Sequence, residues 1–172
     1  MKTSKNVRRV VYAGSFDLLT NGHLWMIKQA VEMFDEVVVA VGVHPGKNGT
    51  FSTEQRKKML RLVVGKTKKV KVTDFVGSYL VDYAKSVNAK FVLRGIRSHK
   101  DYEFEREMRH VNEDIDPEVT TVFLMPPRNL SEVSSSTVRG MVGFKNWEKR
   151  VAKYVPKAVL KELEKWQNEK EF

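Results

Sequence analysis

The densest group of residues able to do chemistry is Gly14-Ser15-Phe16-Asp17-Leu18-Leu19-Thr20-Asn21-Gly22-His23, which leads from a β-branched run into an amphipathic stretch. Gly14 suits a tight turn after a strand, and Gly22 a close approach of backbone to a ligand, because neither carries a Cβ. His23 then falls in the first turn of a helix, where free N–H groups and the helix dipole favour a phosphate. A cation-capable imidazole at that spot can donate to a phosphoryl oxygen as charge builds there. A capped helix with a satisfied histidine near its start fits the same residues, and the segment alone does not separate the two. Arg94 closes an apolar strand, which is unusual for a charge. Lys47 lies in a Pro/Gly loop, where a solvated surface lysine is the plainer reading.

These residues need elements to hold them. Arg8–Ala13 reads as a strand ending at Gly14, and Gly22–Phe34 as a helix with Leu24, Ile27, Ala30, Val31 and Phe34 on one face. Glu36–Val43 is a nearly continuous apolar run, as in a parallel strand covered on both sides. Ser52-Thr53-Glu54-Gln55 forms a capping box ahead of a helix with Met59, Leu60, Val63 and Val64 inward. Lys69–Thr73 reads as a strand, Tyr79–Val87 as a helix, Lys90–Leu93 as a strand, Asp101–Asn112 as a charged helix and Thr120–Met125 as a strand stopped by Pro126-Pro127. Helices follow Ser136 and span about 156–168. Strand–helix alternation of this kind implies an α/β fold, a Rossmann-like doubly wound parallel sheet with helices on both faces. The chain is expected to be one domain, residues 1–172, with a basic tail at 1–8. In such sheets ligands sit beyond the carboxyl ends of the strands, hence after Ala13, Val43, Leu93 and Met125.

Composition and failed motifs narrow the chemistry. The 172 residues carry 31 Lys and Arg against 21 Asp and Glu, a net charge of +10 that attracts anions without specifying which. The absence of cysteine excludes disulfides, thiol catalysis and Cys-based metal sites, and the four histidines form no ligand pair. No run approaches the roughly 18 apolar residues of a membrane span, and the basic N-terminus leads into no signal h-region, so a cytoplasmic protein is expected. Gly42-Val43-His44-Pro45-Gly46-Lys47-Asn48 is one residue short of a P-loop and lacks its Ser or Thr. Ser134-Ser135-Ser136 lacks the flanking glycines of a serine-nucleophile elbow and suits a helix N-cap.

Thr20-Asn21-Gly22-His23 resembles the first signature of the nucleotidylyltransferase superfamily, and Val133-Ser134-Ser135-Ser136-Thr137-Val138-Arg139 resembles its second. Val92-Leu93-Arg94-Gly95-Ile96-Arg97, with Asp101-Tyr102-Glu103-Phe104-Glu105, narrows the resemblance to the phosphopantetheine adenylyltransferases, over about residues 10–156. The resemblance implies transfer of the adenylyl group of ATP to 4′-phosphopantetheine, giving 3′-dephospho-coenzyme A and pyrophosphate. It implies His23 as transition-state stabiliser and Ser15 at the junction of the two substrates. Lys47 and Arg94 would hold the acceptor phosphate and Leu80 its pantetheine arm, although periodicity alone makes Leu80 a core residue. Phe16, Gly95, Ile96, Arg97, Glu105 and the run Leu130, Ser131, Glu132, Val133, Ser134, Ser135, Ser136 would bind ATP. Arg97 and Glu105 fit surface ion pairs equally well. Mg2+ would be held mainly by the ATP phosphates, and no protein ligand is assigned to it. By family analogy a homohexamer and feedback by coenzyme A are expected, with neither nucleic acid nor membrane as partner.

Ser15, Leu18, Trp25 and Phe104 depart from the family pattern, and Trp25 has no account in the sequence. Two other readings compete. A sister nucleotidylyltransferase with a nicotinamide-mononucleotide or glycerol-phosphate acceptor shares both signatures. A basic nucleic-acid-binding module fits the charge, but no helix-turn-helix, RRM or zinc-finger pattern accompanies it.

Overall fold

Five β-branched runs build one parallel sheet, and the order in which they pair decides where a ligand can sit. The computed structural model describes residues 7–46, 48–131 and 134–169. The strands are β1 (Arg9–Gly14), β2 (Glu36–Val43), β3 (Val70–Val76), β4 (Phe91–Gly95) and β5 (Thr120–Leu124), paired in the order β3-β2-β1-β4-β5. The chain runs outward from β1 to β3, then returns to lay β4 on the other side of β1, with Tyr12 opposite Leu93. That reversal is the topological switch point, and its crevice opens at the carboxyl ends of β1 and β4, at Gly14 and Gly95.

Around the sheet lie α1 (Asn21–Met33), α2 (Thr53–Val64), α3 (Leu80–Ser86), α4 (His99–Ile115), α5 (Arg128–Ser131), α6 (Ser135–Arg139), α7 (Trp147–Val151) and α8 (Lys157–Asn168). Alternate residues of the central strands enter two cores, because successive side chains point to opposite faces. Val10, Tyr12, Val37, Val39 and Val41 pack with Met26, Ile27, Leu60 and Leu163. Val11, Ala13, Val38 and Ala40 pack with Val81 and Ala84 of α3. The sheet is thus covered on both faces, as the apolar runs predict. No helix among the described residues is long and apolar enough to cross a membrane.

The Ser52–Gln55 capping box forms as read: the Gln55 N–H donates to Ser52 Oγ at 3.2 Å, and the Ser52 N–H to Gln55 Oε1 at 2.8 Å. Two short helices, α5 and α7, lack the length to show periodicity and are missing from the sequence reading. The turn after β1 also differs from expectation. Gly14 keeps a negative φ, and the left-handed residue is Phe16, at φ 46°. The Phe16 ring folds back beneath Gly14, 3.4 Å from where a Cβ would stand, and makes edge contacts with Tyr12 and His23. Burial of that ring holds a conformation that costs a non-glycine residue about 1–2 kcal/mol. Trp25 is partly buried against the first core.

Candidate active site

The crevice at the switch point is a cavity of about 380 Å³. From the sequence-derived set it gathers Ser15, His23, Arg94, Gly95, Arg97, Glu105, Leu130, Ser134, Ser135 and Ser136. Four other members of that set stand outside its lining. Phe16 is 1% exposed beneath the loop, and Leu80 packs on the second core. The Ile96 N–H donates to the Leu124 carbonyl at 2.9 Å, and Ser131 Oγ donates to the Pro126 and Pro127 carbonyls. Lys47, Glu132 and Val133 lie outside the described residues. Among the described residues, the loop after β2 adds nothing to the cavity lining.

His23 is the third residue of α1, in the position where a capping box ordinarily has Glu or Gln. The Thr20 N–H donates to its Nδ1 at 3.0 Å, and Thr20 Oγ1 stands 3.0 Å from the same nitrogen. A backbone N–H can only donate, so Nδ1 is the unprotonated nitrogen and the ring proton sits on Nε2. Burial, with the Arg97 charge adding to it, pulls the imidazole from the usual 6.5 down to about 4. The site therefore presents the cation-capable imidazole as a neutral Nε2–H donor. Because the unfolded histidine keeps the higher pKa, the folded state binds fewer protons between pH 6.5 and pH 4, and stability falls as pH falls through that window. Imidazole nitrogen NMR should show the Nε2–H tautomer from pH 5 to 8 and a midpoint near 4; a midpoint near 6.5 would contradict the assignment.

Gly22 lines the cavity and also has a packing role. A Cβ there would stand 3.2 Å from the Leu130 carbonyl oxygen, so the missing side chain lets α5 close on the start of α1. Ser135 Oγ donates to the Leu18 carbonyl at 2.7 Å, and Arg139 lies 3.6 Å from Asp17. The two signature segments, far apart in sequence, thus form one wall.

The opposite wall is built from two ion pairs. Arg94 Nε donates to Glu105 Oε2 at 2.8 Å, its Nη2 bonds the other carboxylate oxygen, and its Nη1 donates to the Ala13 carbonyl at 3.0 Å. The pair keeps Arg94 charged, above its ordinary range, against the cost of burial. Of the five N–H donors three are spent, leaving two. Arg97, one residue ahead of the N-cap Ser98, pairs with Asp101 in the first turn of α4 at 3.0 Å. Glu105 and Arg97 therefore take the ion-pair alternatives left open in the sequence, yet both face the cavity. Tyr12, Thr20, Met26, Asp101, Pro126 and Arg139 also line it. Of these, Asp101 had a sequence signal in its spacing from Arg97, and Arg139 in closing the second signature. Burial holds the Tyr12 phenol protonated, its pKa raised beyond the usual range.

The cavity can therefore receive phosphates. It offers the guanidinium groups of Arg94, Arg97 and Arg139, three serine side chains at the start of α6 and one neutral imidazole donor. Both of its carboxylates are engaged by arginines, so neither is placed as a free general base. Among the described residues no cluster of three or more His, Asp or Glu could hold a metal ion.

The cytidylyltransferase-like family matches residues 11–141. A phosphopantetheine adenylyltransferase of Chromobacterium violaceum is 50% identical over 157 residues, 91% of this chain and 96% of that protein. One from Neisseria meningitidis is 51% identical over 156 residues, 91% and 92% of the two chains. Among solved structures, Plasmodium falciparum nicotinic acid mononucleotide adenylyltransferase complexed with NaAD has a TM-score of 0.69, with 93% of this chain and 96% of that one covered. At 15% identity that likeness speaks for the fold. The relatives, half identical along nearly their whole length, speak for more: the chain belongs to the cytidylyltransferase-like family and, within it, to the phosphopantetheine adenylyltransferases.

Proposed function

We propose that this chain carries out the reaction for which its relatives are named, transfer of the adenylyl group of ATP to 4′-phosphopantetheine. The products are 3′-dephospho-coenzyme A and pyrophosphate. The observation that carries the reading is the switch-point cavity, in which a neutral His23 donor faces arginines and serines and both carboxylates are already paired. An acceptor phosphate oxygen attacks the α-phosphorus, the bond to the bridging oxygen breaks, and pyrophosphate leaves with that electron pair. A phosphate monoester is ionised above about pH 6, so the nucleophile needs no base. What the reaction needs is alignment and donors for the charge on the transferring group.

In this reading His23 Nε2–H donates to the α-phosphate, and Ser15 stands where the two substrates meet. Arg94 uses its two remaining N–H groups, with Lys47, on the acceptor phosphate, and Leu80 serves the pantetheine arm. Gly95, Arg97, Glu105 and the segment 130–136 serve ATP, with Phe16 and Ile96 contributing as packing and backbone supports. Mg2+ would be held mainly by the ATP phosphates, where it would offset part of their charge; both cavity carboxylates being held by arginines supports a metal carried by ATP rather than by protein.

The reading extends to a homohexamer, supported by the apolar residues that α4 leaves exposed, Tyr102, Phe104, Val111 and Ile115. It also includes one domain over the whole chain, work in the cytoplasm and feedback by coenzyme A, which shares the pantetheine and adenylyl groups of the substrates. The test is pyrophosphate release with Mg-ATP and, in parallel, 4′-phosphopantetheine, pantetheine and nicotinamide mononucleotide. Release with phosphopantetheine alone is expected. Release with the mononucleotide alone would transfer the His23 chemistry to a sister activity.

A further inference from the structure

Arg56, on α2, is 7% exposed, and among the described residues no carboxylate pairs with it. A buried cation is costly unless its donors are used, so where they go is informative. Nη1 donates to the Ser15 carbonyl at 3.0 Å, and Nε reaches the Ser52 carbonyl at 3.4 Å. Nη2 donates to Thr53 Oγ1 at 3.5 Å, so the guanidinium serves the loops that follow β1 and β2 and the first turn of its own helix. Asp17 makes the reciprocal link: its carboxylate accepts from the Thr50 N–H at 3.0 Å and the Phe51 N–H at 2.9 Å. Gly49 makes room for the clasp, since a Cβ there would stand 3.2 Å from Arg56 Nη2 and 3.1 Å from the Phe51 carbonyl oxygen.

We propose that Arg56 is a positioning residue for the acceptor half of the site, holding the Ser15 loop against the loop that carries Lys47. The inference rests on the reaction proposed above. Arg56 is not among the residues lining the cavity and acts through Ser15. Its hydrogen bonds fall on Ser15, Ser52 and Thr53 and on no residue of α5 or α6, so its loss falls more heavily on the acceptor than on ATP. Side-chain clasps of this kind fix the relative place of two substrate-binding loops, where a displacement of about 1 Å costs up to ~100-fold in rate.

The experiment compares Arg56→Gln, Arg56→Lys and Gly49→Ala with the parent enzyme. KM for phosphopantetheine is measured at saturating Mg-ATP, Kd for ATP by calorimetry, and Tm by unfolding. Arg56→Gln should raise the acceptor KM about tenfold or more with ATP Kd within about twofold. Arg56→Lys, which keeps one donor for the Ser15 carbonyl, should recover most of the loss. Gly49→Ala, which displaces the guanidinium without removing it, should move KM in the same direction by less, and it decides the matter if Arg56→Gln fails to fold. A lowered Tm with unchanged acceptor KM, or equal losses for both substrates, would overturn the positioning role. A parent enzyme inactive with phosphopantetheine would instead overturn the reaction itself, a result distinguishable from either.

Discussion

His23→Ala is expected to lower kcat by about 10²–10³-fold while Kd for ATP stays within about twofold. The ring proton on Nε2 faces a cavity lined by arginines and serines, and the Thr20 N–H fixes the tautomer from behind. A donor held in that way needs no reorganisation as negative charge grows on the α-phosphoryl oxygens. Removing one such donor costs roughly 3–4 kcal/mol in the transition state and little in the ground state. Truncation also removes the ring against which Phe16 packs, so some loss of Tm accompanies it. His23→Gln, which keeps a donor, separates the two effects: it should recover part of kcat whatever happens to Tm. Steady-state kinetics with calorimetric ATP binding checks this. A weakening of ATP affinity as large as the loss of kcat would make His23 a ground-state binding residue.

The second large effect belongs to Arg94. Arg94→Ala should weaken phosphopantetheine binding by about 10²-fold and leave ATP within a few-fold, since two guanidinium donors remain for a dianion after Glu105 and Ala13 are satisfied. It should also destabilise the fold by about 2–3 kcal/mol, because the Glu105 side chain, 10% exposed, loses its bidentate partner. The double variant Arg94→Ala with Glu105→Gln removes the orphaned charge. Its Tm should return most of the way while the acceptor defect persists. Parallel recovery of acceptor affinity would mean that Arg94 matters for the fold alone.

The sheet was legible because it is buried on both faces. β2 reads as an unbroken apolar run and occupies the residues expected of it, Glu36–Val43. The α2 start was legible because a capping box is a local device whose four residues carry its whole geometry. The place of the candidate cavity was legible too, since Gly14 and Arg94 close strands that the topology sets side by side. Conformation and partnership were not. Local propensity favours Gly14 over Phe16 as the left-handed residue; the packing of the Phe16 ring under Gly14 overrides it. The neutral state of His23 depends on burial and on Arg97, which only the folded chain brings near. Arg94 and Glu105, eleven residues apart, lie on a strand and a helix that meet only in the fold. Nothing in the sequence marks Arg56 out among the 31 lysines and arginines.

The central claim is direct transfer assisted by a neutral histidine that donates and cannot attack, since the lone pair of its ring faces Thr20 at Nδ1. Exchange of labelled pyrophosphate into ATP tests it most directly. With enzyme, Mg-ATP and labelled pyrophosphate but no acceptor, no label should enter ATP; adding 3′-dephospho-coenzyme A should bring it in. Exchange without any acceptor would reveal an adenylyl-enzyme and contradict the account.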